Sequence, residues 1–240
     1  MTRYILLLLF ILSLSTICLT QTPKPTPDPE KYKNDPEYRQ KWKEFEEKYA
    51  EVTAANKKIE ELNKKVNAFL VAGVAAFNAK NYTLAVEKFD DAIKADDFWP
   101  AHLTLLSNKS GALQALGVEI YNNGVRTKSP TAAEAIKYLK QAIECLDQAF
   151  LITVIHKDET DPSWQQLISE NRVKLIRARS TAWRIYGTMD PSQIPAAIIA
   201  IESYIAIETD KDLKAAALKD LETLRSKAVR LGGLDPNYKN

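Results

Sequence analysis

Apolar residues recur along this chain at the three- and four-residue spacing of helix faces, and β-branched residues never gather into the alternating runs that make strands. Tyr38, Trp42, Phe45 and Tyr49 are followed by Val52, a 4-3-4-3 spacing that lays one stripe along a helix. Asp35-Pro36 predicts its start. Asp caps the first amides, Pro loses nothing at the first helical position because its missing N–H has no partner there, and Glu37 sits near the positive end of the helix dipole. No Gly or Pro interrupts the run before Gly73. The same spacing brings Asn56 and Ile59 into the stripe, and the register then drifts through Leu62 and Val66. Such a stripe needs a cover, and two are open: the arm caps the rest of its own chain, or it pairs with a second copy as a coiled coil in which a buried Asn fixes register.

Helical hairpins follow. Phe69, Ala72, Gly73, Ala76 and Phe77 precede a turn at Asn78–Tyr82, and Ala85, Phe89 and Ala92 follow it. Antiparallel helices approach closely only where facing residues are small, so Gly73 and Ala85 are expected to meet at the crossing, with Phe89 filling the gap beyond. After Trp99-Pro100 the order returns as Leu113, Leu116, Gly117 and Ile120, then Ala135, Leu139 and Ala142. Gly73 to Ala85 spans 12 residues and Gly117 to Ala135 spans 18, so six extra residues are expected in a surface loop within YNNGVRTKSPTAAEA. A weaker third pair joins Ser163–Thr188 to Ile194–Thr209, with no glycine expected at its crossing. Asp210–Leu231 places Leu213, Ala217, Leu221 and Leu224 on one face before Gly232-Gly233 and reads as a closing helix.

Residues 62–97, LNKKVNAFLVAGVAAFNAKNYTLAVEKFDDAIKADD, resemble a tetratricopeptide repeat, and a weaker likeness extends to 209. The resemblance implies an all-α fold of antiparallel helical hairpins stacked as a short right-handed solenoid, here with a long N-terminal helix and a C-terminal capping helix. It also implies a concave groove, lined by the first helices of successive hairpins, that takes extended peptides or helices from partners. The residues placed on that face are Asn67, Leu70, Val74, Phe77 and Asn78 on the first hairpin and Gln114, Val118, Tyr121 and Asn122 on the second. Aromatic anchors beside amides suit peptide binding, and in a short array the same positions serve equally well as core. The groove lacks the Lys and Arg cluster that some family members use to grip a terminal carboxylate, which disfavours a chaperone-tail co-receptor role.

The first twenty residues change the setting. Arg3, the unbroken apolar run Tyr4 to Leu12, and Ser13, Ser15 and Thr16 read as a signal peptide removed after Thr20. An uncleaved anchor and lipidation at Cys18 are the alternatives, the latter opposed by the bulk of Ile17 beside the cysteine. Prolines at 23, 25, 27 and 29 then predict an extended spacer. The expected organisation is a signal peptide at 1–20, a proline-rich linker at 21–35, an amphipathic helix at 36–66, the helical-repeat domain at 67–231 and a tail at 232–240.

Composition removes several function classes. In 240 residues, Lys and Arg total 33 against 31 Asp and Glu, so there is no net basic field to release phosphate counterions from nucleic acid. With Cys18 removed, Cys145 would stand alone and form no intramolecular disulfide. His102 and His156 have no metal-ligand spacing with it, and no nucleophile elbow or phosphate-binding loop occurs. Asp90-Asp91 and Asp96-Asp97 are expected as solvated helix surface, as are Arg172, Lys174, Arg177, Arg179 and Arg184 among neighbouring acids. Asn81 and Asn108 head N-x-S/T triplets that matter only in a glycosylating host. The sequence therefore reads as an exported scaffold, periplasmic or secreted, that binds a protein or peptide through the groove. No catalysis, cofactor, metal, nucleic acid or membrane span after signal removal is expected. The alternative is a structural oligomer, such as a homodimer, assembled through the 36–66 arm.

Overall fold

The computed structural model describes residues 24–95, 99–127 and 131–231, so the expected signal peptide, Cys18, the Thr20 cleavage point, Asp96-Asp97 and the 232–240 tail lie outside the described residues. The described chain is all-helical. It comprises α1 (Pro29–Asn34), α2 (Pro36–Asn78), α3 (Tyr82–Ala95), α4 (Trp99–Thr127), α5 (Ala132–Ile155), α6 (Pro162–Met189), α7 (Ile194–Ile207) and α8 (Lys211–Arg230), with one 3-10 turn at Pro191–Gln193. It divides into two compact units, Met1–Asn67 and Ala68–Asn240.

In the first unit, residues 24–28 have no regular structure and Pro29 opens α1, so the helix begins inside the stretch expected to be a spacer. Asp28 makes this possible: its carboxylate accepts from the amides of Glu30 and Lys31, and Pro occupies the first helical turn. Asp35 repeats the device for α2, accepting from Glu37 and Tyr38 at 2.9 and 3.0 Å. From Glu51 to Lys65 every residue of α2 is exposed, Val52 and Ile59 at 58% and 52%, so this stretch of the stripe has no cover within the unit.

In the second unit, each helix from α3 onward packs on the next, and second-neighbour packing joins α4 to α6 and α6 to α8. The largest core cluster lies among α4, α5 and α6 and includes Leu103, Leu113, Leu139, Leu146, Leu175 and Tyr186. A second joins α7 to α8 through Ile194, Ile201, Tyr204, Leu221 and Leu224, and a third joins the end of α2 to α3 and α4 through Ala76, Ala85, Phe89 and Ala112. Phe89, Leu113, Leu139 and Ala142 are all at most 1% exposed, each burial of a large apolar side chain contributing about 1.5–3 kcal/mol.

Three crossings use a glycine, and two of them differ from expectation. A methyl group on Gly73 would stand 2.6 Å from Phe89 Cε1, so the partner of Gly73 is the Phe89 ring, one turn beyond Ala85. At Gly117 the same group would meet the Ala135 carbonyl at 3.0 Å and Leu139 Cγ at 3.4 Å. Leu139 follows Ala135 by four residues just as Phe89 follows Ala85. The third crossing has a glycine after all: Gly187 lies two residues from the end of α6, where a methyl would meet Ala197 Cβ at 3.1 Å. Its position so near the helix end conceals it from a pattern centred on the helix.

The six extra residues of the second hairpin are mostly helix. Gly73 lies five residues before the end of α2 and Gly117 ten before the end of α4, so five of the six lengthen α4 and one enters the connection. No proline occurs between Pro100 and Pro130, and continued helix satisfies backbone amides that a loop would leave to solvent. The first turn is sharper. Lys80 N donates to Phe77 O and Asn81 N to Ala76 O at 2.9 Å each, the pair of bonds that closes a helix through a left-handed residue, and Lys80 occupies that place with φ 60°.

Candidate functional site

The residues placed on the expected groove come from α2 and α4. Within the second unit, Leu70, Val74 and Phe77 are half-buried and pack with Val86 against the cluster of Ala76, Ala85, Phe89 and Ala112. Phe77 also meets the edge of Tyr82, the first residue of α3, with ring centroids 5.5 Å apart and planes at 62°. These three side chains therefore serve the core with one side while keeping part of their surface in solvent. Asn78, at the end of α2, is exposed. Asn67 belongs to the first unit and is exposed there.

On α4, Gln114, Val118 and Tyr121 are half-buried and Asn122 is exposed. Gln114 Nε2 donates to Ser110 Oγ at 3.1 Å, which satisfies a hydroxyl that is itself fully buried and fixes the amide on the helix surface. Beside it, a methyl group on Gly111 would meet nothing within 4 Å. Gly111, Gln114, Val118 and Asn122 follow the three- and four-residue spacing of one stripe, which borders open space at Gly111. The structure connects the two sets at Tyr82, whose ring touches Phe77 and whose phenol is pushed up by burial and then by the Glu119 carboxylate of α4. Half-buried apolar side chains flanked by uncharged amides can hold a peptide by shape and by hydrogen bonds.

A second polar assembly escaped the sequence reading. Glu208, immediately after α7, is 5% exposed and receives Tyr204 Oη, Arg177 Nη2 at 2.7 Å and the Asp210 amide at 2.9 Å. Burial opposes its charge, yet the hydrogen bonds from Tyr204, Asp210 and Arg177 outweigh that and hold its carboxyl down at about 2. Burial and the Glu208 bond push the Tyr204 phenol up to about 12. The Arg177 guanidinium also lies 5.6 Å from the Tyr204 ring centroid. Arg177 was expected on a solvated face. Instead, three of the five basic residues expected there are ties: Arg177 to the α7–α8 turn, Arg179 to Asp147 of α5 at 2.5 Å and Arg184 to Asp220 of α8 at 3.1 Å. Arg172 is exposed, and Lys174 pairs with Glu170 of its own helix. The only sequence signal was an acid placed two residues before the helix cap Asp210, and spacing alone does not reveal which cation reaches it. This cluster is structural: Tyr204 and the Asp210 amide hold Glu208 within the α7–α8 turn, and Arg177 ties that turn to α6.

Other chemistry-bearing residues also resolve into structural roles. Asp90 pairs with Lys109 at 2.6 Å, linking α3 to α4, and Asp91 with Lys88 at 3.0 Å. Cys145 is buried in the α4–α5–α6 core, and burial pushes its thiol up, away from the reactive thiolate. Asn81 caps α3, its Oδ1 accepting from Leu84 at 3.2 Å, and stays exposed, whereas Nδ2 of Asn108, the atom that would carry a glycan, is buried within α4. Among the described residues no three His, Cys, Asp or Glu side chains converge as metal ligands, and no helix is long and apolar enough to cross a membrane. No protein-family model, curated protein or solved structure matches the chain.

Proposed function

We propose that this protein is an exported, non-enzymatic scaffold that binds an extended peptide or helix of another protein along the face formed by Leu70, Val74, Phe77 and Asn78 of α2 and Gln114, Val118, Tyr121 and Asn122 of α4. Asn67 extends that face in sequence toward the arm. The observation that carries the reading is the recurrence of a close glycine crossing: Gly73 meets Phe89, Gly117 meets Ala135 and Leu139, and Gly187 meets Ala197. Second-neighbour packing of α4 on α6 links two first helices, and α6 packs in turn on the closing α8. A tetratricopeptide-like solenoid is built by that scheme, and its first helices supply the binding surface. The open strip beside Gly111 lies where such a groove requires free space. Export rests on the pattern of residues 1–20.

Site-specific photocrosslinking in the native host tests the reading. A crosslinker at Val118 or Asn78 should capture one defined protein, and one at Val229, exposed on α8, should not. Equal capture at all three positions, or capture at Val229 alone, rejects the groove. One observation favours the structural oligomer instead, the unbroken exposure of 51–65 with Val52, Ile59 and Leu62 uncovered. Under that reading light scattering finds a dimer that Ile59→Lys converts to a monomer; a monomer for the unaltered chain removes it.

A further inference from the structure

We propose that the aromatic ladder at the start of α2 is a docking face for extended, proline-rich peptide, and that residues 24–28 of the chain are its resident ligand. The ladder is Tyr38, Trp42, Phe45 and Tyr49, with successive ring centroids 6.3, 5.1 and 5.8 Å apart. The chain returns along it and is tied at both ends. Lys24 Nζ pairs with Glu46 Oε1 at 2.7 Å, and the Asp28 amide donates to Tyr38 Oη at 3.2 Å. Beyond that, Arg39 Nη1 donates to the Lys33 carbonyl at 3.1 Å, which fixes the α1–α2 turn.

The spacing of the ties matches an extended conformation between them, which the backbone of Asp28 adopts. Tyr38 and Glu46 are eight helical residues apart, about 12 Å of axial rise. Lys24 and Asp28 are four residues apart, and four polyproline residues also span about 12 Å. The segment Lys24-Pro25-Thr26-Pro27-Asp28 is therefore drawn out along the ladder antiparallel to α2, with Pro25 and Pro27 between the ties and Pro27 half-buried. A proline segment fits this task for a physical reason. Pro25 and Pro27 lack the amides that would demand backbone partners, and their fixed φ leaves less conformational freedom to lose on docking. Flat rings with a polar clamp at each end form a recurring solution for such peptides. The cation preference comes from Glu46, which holds Lys24 and has the Trp42 indole as a second donor.

The resident segment is exchangeable, because its charged tie is solvent-exposed on both partners, and exposed pairs contribute little. The partner chemistry that fits is a lysine or arginine followed by alternating prolines. The test uses the full chain with its own segment disabled by Lys24→Ser, Pro25→Ser and Pro27→Ser, and a labelled peptide of residues 22–34 in trans, read by fluorescence anisotropy. The disabled chain should bind the peptide at least ten-fold more tightly than the unaltered chain, and adding Trp42→Ala should remove that binding. Circular dichroism checks that α2 persists. A charge exchange covers the case in which Trp42→Ala disturbs the helix: Glu46→Lys should weaken binding, and a peptide carrying Lys24→Glu should restore it. No binding to the disabled chain at millimolar peptide, equal binding to both chains, or indifference to both Trp42→Ala and the charge exchange overturns the proposal.

Discussion

Replacing Gly73 and Gly111 by alanine should move stability in opposite directions, although both glycines lie inside helices. Each substitution removes a helix-interior glycine, which on propensity alone stabilises by about 0.5–1 kcal/mol. At Gly111 nothing opposes that gain, since the new methyl would meet no atom within 4 Å. At Gly73 the methyl would lie 2.6, 2.8 and 3.0 Å from three atoms of the Phe89 ring. Phe89 is 1% exposed and packs against Ala76, Ala85 and Ala112, so the ring has no free space to turn into. Overpacking of that kind costs about 1–3 kcal/mol, which against the propensity gain leaves a net loss of up to about 2.5 kcal/mol. For a chain of this size about 1 kcal/mol moves Tm by roughly 2–4 °C. Urea melts followed by circular dichroism at matched slopes measure both variants. The α2–α3 pairing is refuted if Gly73→Ala is as stable as the unaltered chain, and the open strip on α4 is refuted if Gly111→Ala is destabilised.

Glu208 makes stability depend on acid. Its folded pKa is depressed to about 2 from an ordinary 4.5, so its contribution is full above about pH 4.5 and is lost as pH falls through the folded value. Glu208→Gln should cost about 2–3 kcal/mol at pH 7 and flatten the acid limb between those values in urea melts repeated across pH; an unchanged acid limb contradicts the assignment. Lys80→Gly should stabilise by about 0.5–1 kcal/mol, because glycine adopts the left-handed closure of α2 without the Cβ penalty, and a thermal melt that falls instead would contradict it. With Cys18 changed to Ser, a thiol reagent should leave Cys145 unmodified in the native protein and label it fully in urea; rapid native labelling would show that the α4–α5–α6 core opens.

The helices were legible because their signals are local. Asp-Pro at 35–36 marked a helix start, and the buried faces of the first two hairpins follow the spacing of Ala85, Phe89 and Ala92 and of Leu139 and Ala142. What the sequence concealed depends on distance through space. Whether Gly73 meets Ala85 or the residue one turn later is set by how far one helix slides along the other, and periodicity leaves that slide undetermined. The tie from Arg177 to Glu208 spans 31 positions, and neither residue differs in composition from its solvated neighbours. The proline segment read as a spacer because its own chemistry is that of one; the aromatic stripe was legible, but the pairing of Lys24 with Glu46 that brings the segment to it was not. For the groove, Leu70, Val74 and Phe77 satisfy core and surface at once, so residue type alone could not separate the two roles.

The binding face is tested most directly by filling it without disturbing the fold. Gly111→Arg adds a long side chain to α4 on the stripe that continues through Gln114 to Val118, at a position where a first side-chain carbon meets nothing within 4 Å. Partner capture through a crosslinker at Val118 is then compared with the melting temperature of the same variant. The scaffold reading predicts that Tm stays level or rises while capture of the defined partner is lost, and undiminished capture by a fully folded Gly111→Arg chain would contradict it.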